Sequence, residues 1–329
     1  MRDGDPEYPV DHERNQAMQS IATLTMNPSI DINSSVDHVV AERKLRCKPP
    51  RYEPGGGGIN VSRAIQILGG ESLALYPVGG YYGRMLQDLL DREGLNHSSF
   101  PIRGLTRETL IISEESTGQQ FRFGMPGPTF VEAEWQHCLD RLFSLVPKVD
   151  YVVASGSLPP GVPKDFYAHI GNWSKGHGRK VIVDTSGEAL HLALEAGVYL
   201  IKPNMRELGE LTNHEIEDEV ELERVAMGMV ERGQSEVVVV SLGAAGALMV
   251  SKDGYEHFRA PTVPIKSKVG AGDSMVAGIV RSLAQGKTLR EAVRFGVAAG
   301  AAAVMTPGTE LCRREDTERL YQQMRADNP

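Results

Sequence analysis

The run Glu236–Ser241, EVVVVS, sets four valines in a row. A strand with one face in water alternates apolar and polar residues, whereas a strand that is apolar throughout is covered on both faces. Short β-rich runs of similar character lie at Ile21–Met26, Leu73–Val78, Tyr151–Ala154, Lys180–Asp184 and Tyr199–Lys202. Between them stand helical patterns. Gly83–Glu93 places Met85, Leu86, Leu89 and Leu90 at helical spacing, and Ser274–Ala284 and Leu289–Met305 are rich in Ala, Val and Gly. This alternation predicts an α/β fold with a doubly wound, mostly parallel sheet flanked by helices.

Two segments break the rhythm. Val36–Arg46 (VDHVVAERKLR) and Thr109–Gly124 (TLIISEESTGQQFRFG) alternate in period two, the pattern of antiparallel strands and a hairpin. They follow a strand and a helix, so they are expected to project together as a small β lid, over about residues 33–53 and 107–128. Exposed strand edges need a cover, and pairing with a second copy supplies one, so a homodimer through the lid is expected.

A chain of 329 residues, 41% hydrophobic and 24% charged, has the composition of a globular protein with a large core. Its formal net charge of −8 argues against a nucleic-acid partner, which calls for a basic surface, but leaves room for an anionic small molecule held by local cations. Cys47, Cys138 and Cys312 are far apart and form no CxxC, which suits a reducing compartment and offers no metal framework. No apolar run is long enough to span a membrane. The start, MRDGDPEYPVDHERNQ, is polar and lacks the apolar core of a signal peptide, so a cytoplasmic location is expected. Residues 1–19 read as a disordered tail ahead of one domain over 20–329, with Met18 as an alternative start.

Chemistry concentrates in a few stretches. Gly55–Gly58, in EPGGGGINVSRA, puts four glycines before a helix that carries Asn60; such a run lets a ligand approach the backbone at a helix N-terminus, or serves as a flexible link. Gly270-Ala271-Gly272-Asp273 sets small residues and an acid at a helix start, which fits a turn with an N-cap as well as an anion site. SLGAAGA (241–247) suits a nucleotide-phosphate turn or a hairpin, and KPNMRE (202–207) ends a strand with a cation, a turn and an acid. There is no Walker A, because Arg281 stands where its first glycine belongs, and no GxGxxG follows a strand.

PGGGGINVSRA, SGSLPPG, KPNMRE, SLGAAG and VGAGDS, in this order and spacing, resemble the ribokinase-like (PfkB) family of sugar kinases from about Met18 to the C-terminus. PGGGG, where relatives acting on fructose 1-phosphate or tagatose 6-phosphate usually read PGGKG, is similar to the branch acting on fructose 6-phosphate, as are KLRC and GTELC. The resemblance implies a ribokinase-like fold and ATP-dependent transfer to the C1 hydroxyl. Asp273 would be general base, with the amides of Gly270, Ala271, Gly272 and Asp273 as anion hole. It implies that Asp31, Gly56, Gly57 and Asn60 bind sugar hydroxyls, and that Lys44, Arg46 and Arg107 meet the substrate phosphate with Ser157 nearby. Lys202, Asn204, Ser241, Gly243 and Gly246 would hold ATP, and Glu207 would orient Mg²⁺ through water. A K⁺ ion is implied near Ser267, Val269, Thr306, Gly308 and Glu310. Two departures stand out: Lys268 where many members have Thr, and Thr306-Pro307 in place of a more amide-rich pair. Another phosphosugar kinase, or a silent sugar-phosphate sensor on the same fold, is the alternative.

Overall fold

The valine run forms β11 (Ser235–Ser241), and its two faces enter two different cores. Val237 and Val239 pack with the apolar cluster on one side of the sheet, and Val238 and Val240 with the cluster on the other. The computed structural model describes residues 20–144 and 149–327. The expected tail lies outside them.

Among the described residues the main sheet has nine strands: β1 (Ile21–Leu24), β4 (Leu73–Val78), β5 (His97–Pro101), β8 (Tyr151–Ser155), β9 (Lys180–Asp184), β10 (Val198–Ile201), β11, β12 (Ala247–Ser251) and β13 (Gly254–Phe258). Their order is β13-β12-β11-β10-β9-β8-β1-β4-β5. Strands β11 through β5 run parallel, and β12 and β13 add an antiparallel edge. One face carries α1 (Gly57–Ile67), α8 (Ala271–Ala284), α9 (Leu289–Val304) and α10 (Arg314–Asp327). The other carries α3 (Glu132–Phe143), α4 (Phe166–His177), α5 (Gly187–Ala196), α6 (Met205–Thr212) and α7 (Glu219–Glu231). Helix α2 (Gly80–Glu93) covers a smaller third cluster with Ile30 and Tyr76. No described helix is long and apolar enough to cross a membrane.

A second sheet, in the order β3-β2-β6-β7, consists of β2 (Ser29–Val36), β3 (Arg51–Gly55), β6 (Arg107–Glu114) and β7 (Gln120–Gly124). The expected hairpin at Thr109–Gly124 is β6–β7. The expected strand over Val36–Arg46 is not formed: β2 ends at Val36, and the chain runs irregularly to Arg51. The reason is a missing partner. Both neighbours of β2 stop pairing at or before Val36, so the alternation of Val39, Val40 and Leu45 finds no ladder or covered face and these side chains stay exposed. Strand β5, which precedes the hairpin, was not anticipated either.

The register gives the small sheet two unlike faces. Tyr52, Ile32, Leu110 and Phe123 line up across all four strands on one side. Asp31, with Thr109 and Gly124, lies on the other, which looks onto the carboxyl ends of the main strands.

Candidate active site

A cavity of about 600 Å³ separates the small sheet from the ends of β8, β9 and β10. Parallel α/β sheets bind ligands there, because the strand ends open into a crevice fed by loops and helix N-termini. Of the residues singled out from the sequence, Asp31, Gly56, Gly57, Asn60, Arg107, Ser157, Lys202, Asn204, Glu207, Val269, Gly270, Gly272 and Asp273 line it.

Asp273 lies in the first turn of α8, whose N-cap Gly270 holds the left-handed conformation at φ 76°. The first intrahelical bond is Ser274 N–H to Gly270 C=O at 2.9 Å, so the amides of Ala271, Gly272 and Asp273 have no helical acceptor. They aim a positive dipole end at the cavity. Asn60 Nδ2 donates to Asp273 Oδ2 at 2.9 Å and so orients the carboxylate. Burial, reinforced by the charge of Asp184, pushes Asp273 up from 3.8 to about 6, against the pull of Asn60, Lys202 and Arg122. It remains ionised at neutral pH, yet is a better proton acceptor than an exposed aspartate.

Lys202 is buried and pairs with Asp184, Nζ to Oδ1 at 3.3 Å. Burial works against its charge, but Asp184, Glu207 and Asp273 together outweigh it and raise its pKa. A β-carbon added at Gly272 would lie 3.4 Å from Nζ, so this ammonium stands beside the first turn of α8. Asn204 caps α6: its Oδ1 accepts from Glu207 N–H at 2.9 Å, and Glu207 Oε2 accepts from Asn204 N–H at 2.9 Å. The KPNMRE turn is thus a capping box with its acid at the cavity wall.

On the lid side, Ser29 Oγ donates to Asp31 Oδ1 at 2.7 Å. Burial raises the Asp31 pKa, opposed by Ser29, Arg122 and Arg107. Arg107 is held by uncharged acceptors, with Nη2 to Asn27 C=O at 3.2 Å and Nη1 to Met125 C=O at 3.3 Å. Burial lowers its pKa; Asp31 opposes the shift, and a second guanidinium, Arg122, adds to it. Arg122 lines the cavity from β7 and has no carboxylate within ion-pair reach among the described residues. Two guanidinium groups facing one space favour a multiply charged anion.

The glycine run has a structural cause as well as an open face. A β-carbon at Gly55 would lie 2.3 Å from Asp31 Oδ1, and one at Gly57 would lie 2.3 Å from Ser155 Oγ. Only Gly56 and Gly57 of the four reach the cavity.

The remaining candidates fall elsewhere. Lys44 and Arg46 are exposed, outside the cavity lining, because the strand expected to carry them does not form. Ser241, Gly243 and Gly246 form the turn from β11 to β12, joined to the site through the bridge between Asn204 and Ser241 rather than lining it. Ser267, Thr306, Gly308 and Glu310 cluster behind α8: Ser267 Oγ donates to Gly308 C=O and Thr306 Oγ1 to Glu310 C=O, both at 2.7 Å. Lys268 is exposed. Arg122 and Asp184 were missed. The first carried a signal, an arginine between Phe121 and Phe123 on the opposite face; the second is an acid at the carboxyl end of a parallel strand.

The family model described as pfkB family carbohydrate kinase matches residues 24–316. The chain belongs to the pfkB carbohydrate kinase family. It is 45% identical over 302 residues to an ATP-dependent 6-phosphofructokinase isozyme 2 of Mycobacterium tuberculosis, covering 92% of this chain and 89% of that one. A crystal structure of phosphofructokinase-2 from Escherichia coli in complex with potassium superposes with a TM-score of 0.89 at 41% identity, covering 94% of this chain and 100% of the other. A 1-phosphofructokinase of Borreliella burgdorferi is more distant, at 33% identity over 310 residues, 94% of this chain and 98% of that one. The pfkB kinase fold therefore accounts for the main sheet, with the cavity at its strand ends.

Proposed function

We propose that this pfkB kinase phosphorylates fructose 6-phosphate at its C1 hydroxyl with ATP, giving fructose 1,6-bisphosphate and ADP. The observation that carries the chemistry is Asp273, oriented by Asn60 and set among three amides without helical acceptors. The C1 oxygen gives its proton to Asp273 as it forms a bond to the γ-phosphorus, while the bond to the β–γ bridging oxygen breaks and ADP leaves. Phosphoryl transfer calls for positioning and charge stabilisation, which fixed amides and the Lys202 ammonium supply without reorganising.

The substrate phosphate falls to Arg107 and Arg122, and the sugar hydroxyls to Asp31, Gly56, Gly57 and Asn60, with Ser157 at the rim. Lys202, Asn204 and the Ser241–Gly246 turn hold the nucleotide. Among the described residues no group of three or more His, Cys, Asp or Glu could hold a metal directly. Mg²⁺ keeps several waters and binds through phosphates, so Glu207 at the cavity wall suits a water-mediated contact, and the ion's chemistry is to neutralise charge on the phosphates. The loop at 306–310 offers oxygens alone, and the buried Asn33 Oδ1 beside Gly308 has no partner, a donor set that fits K⁺. Tyr52 and Phe123, the exposed ends of the lid's apolar row, support a homodimer through that face. A kinase of free ATP and phosphosugar suits the cytoplasm.

A coupled ADP-release assay over fructose 6-phosphate, tagatose 6-phosphate, fructose 1-phosphate and fructose tests the reading. The highest kcat/KM is expected for fructose 6-phosphate, and a higher value for any other member would overturn it.

A further inference from the structure

The lid and the core each carry part of the cleft. Asp31, Arg107 and Arg122 sit on lid strands, whereas Asn60, Lys202 and Asp273 sit on core elements. Strand β3 runs into α1 through glycines, and Gly56 there has φ 117°. Away from that joint, a polar cluster ties the lid to the loop after α9. Asn33 Nδ2 on β2 donates to Glu53 Oε2 at 3.0 Å and to Thr309 Oγ1 at 2.9 Å. Thr309 Oγ1 in turn donates to Glu53 Oε2, closing a triangle across the lid–core boundary. The other oxygen of Glu53 accepts from Arg51 Nη2 at 3.1 Å, and Arg51 Nη1 reaches Glu310 at 3.6 Å. The Glu53 side chain is 14% exposed and Thr309 is buried, so these charge-assisted bonds are shielded from water. Glu53 is also the direct cross-strand partner of Asp31, so a shift of β3 is passed to a cavity residue.

We propose that Glu53 is a positioning residue: with Asn33 and Thr309 it latches the lid to the loop after α9 and sets the spacing between lid-borne and core-borne groups of the cleft. The inference rests on the phosphosugar kinase reading of that cleft. Glu53 touches no reacting atom and acts through the strand it pins. The nucleotide groups belong to the core, so loss of the latch weakens the sugar phosphate side alone. Electrostatics gives the opposite sign. Removing a negative charge near the site of a dianion would by itself lower KM, so a rise reports lost positioning.

The test compares Glu53→Ala, Thr309→Val, the double variant and Glu53→Gln in steady-state kinetics, with amide hydrogen exchange on the same proteins. Glu53→Ala and Thr309→Val should each raise the fructose 6-phosphate KM on the order of 10-fold, a factor corresponding to 1.4 kcal/mol. The ATP KM should stay within about 2-fold. The double variant should be little worse than either single one, because the two side chains form one contact. Glu53→Gln, which keeps an acceptor for Thr309 and Asn33, should stay near wild type. Amides of β2 and β3 should exchange faster in Glu53→Ala while those of α8 are unchanged. An unaltered fructose 6-phosphate KM, an equal rise for ATP, or additive single effects would overturn the latch. If Glu53→Ala does not fold, Thr309→Val carries the test by the same numbers. If the wild type does not phosphorylate fructose 6-phosphate, the substrate reading fails, and the exchange comparison alone decides the latch.

Discussion

Asp273 is asked to be charged where charge is unfavourable. Its folded value of about 6 lies above the ordinary 3.8, so the native state binds the extra proton. That contribution to stability is complete below 3.8 and is lost as pH rises through 6. With Asp273 as the proposed base, catalysis has the opposite dependence, since only the carboxylate accepts a proton. The acid limb of the kcat/KM profile, which reports the free enzyme, is therefore expected near pH 6, falling tenfold per unit below it. Asp273→Asn keeps the acceptor for Asn60 but cannot ionise. It should lose roughly 10²- to 10⁴-fold in kcat, with the ATP KM little changed. It should also melt higher than wild type at pH 8, and the gain should vanish near pH 4. Melting curves at the two pH values check the sign; equal melting temperatures at pH 8 would show that the buried charge costs nothing. Arg107 works by the same logic on the lid. Its guanidinium is partly desolvated and met only by uncharged acceptors, so a phosphate is its best available partner. Arg107→Ala should raise the fructose 6-phosphate KM on the order of 10- to 100-fold, on about 1.5–3 kcal/mol per charged hydrogen bond, and leave the ATP KM in place. Measured KM values for both substrates decide this.

At the scale of elements, α8, which carries Asp273, lies close against α9. A β-carbon at Gly296 of α9 would lie 2.5 Å from Ile279 Cγ1 and 2.8 Å from Met275 C=O, both on α8. Gly296→Ala should cost about 1–3 kcal/mol in a urea unfolding titration, as overpacked cores do. A variant as stable as wild type would mean that the two helices separate freely. The elements were unequally legible. EVVVVS announced a strand covered on both sides because burial on both faces removes alternation. The helix start at Gly270–Asp273 was legible because small residues and an acid suit both a cap and an anion site. VDHVVAERKLR misled because period two reports a preference for extended chain, while a strand also needs a neighbour, and β3 and β6 offer none past Val36. Lys44 and Arg46 went astray with it. Arg122 and the Asp184–Lys202 pair escaped because each depends on which strand ends the fold brings together.

For the whole molecule, the two faces of the lid have different roles. Its polar face looks onto the cleft, and its apolar row ends in Tyr52 and Phe123, both exposed in a single chain, while Ile32 between them packs against the cluster under α2. Burying such a row against a second copy removes apolar surface from water and covers a strand edge. Light scattering behind a sizing column should give a dimer for the wild type and a monomer for Phe123→Asp; a wild-type monomer at micromolar concentration would contradict the lid interface. The proposed chemistry has a direction: ATP to the C1 oxygen of fructose 6-phosphate, with Asp273 as base. Phosphorus NMR of a reaction containing the protein, ATP, Mg²⁺ and fructose 6-phosphate reads it directly. One new phosphomonoester on C1 is expected for each ADP formed, and on the same timescale almost none with Asp273→Asn. ADP formed without a second phosphate on the sugar, or full turnover by Asp273→Asn, would contradict it.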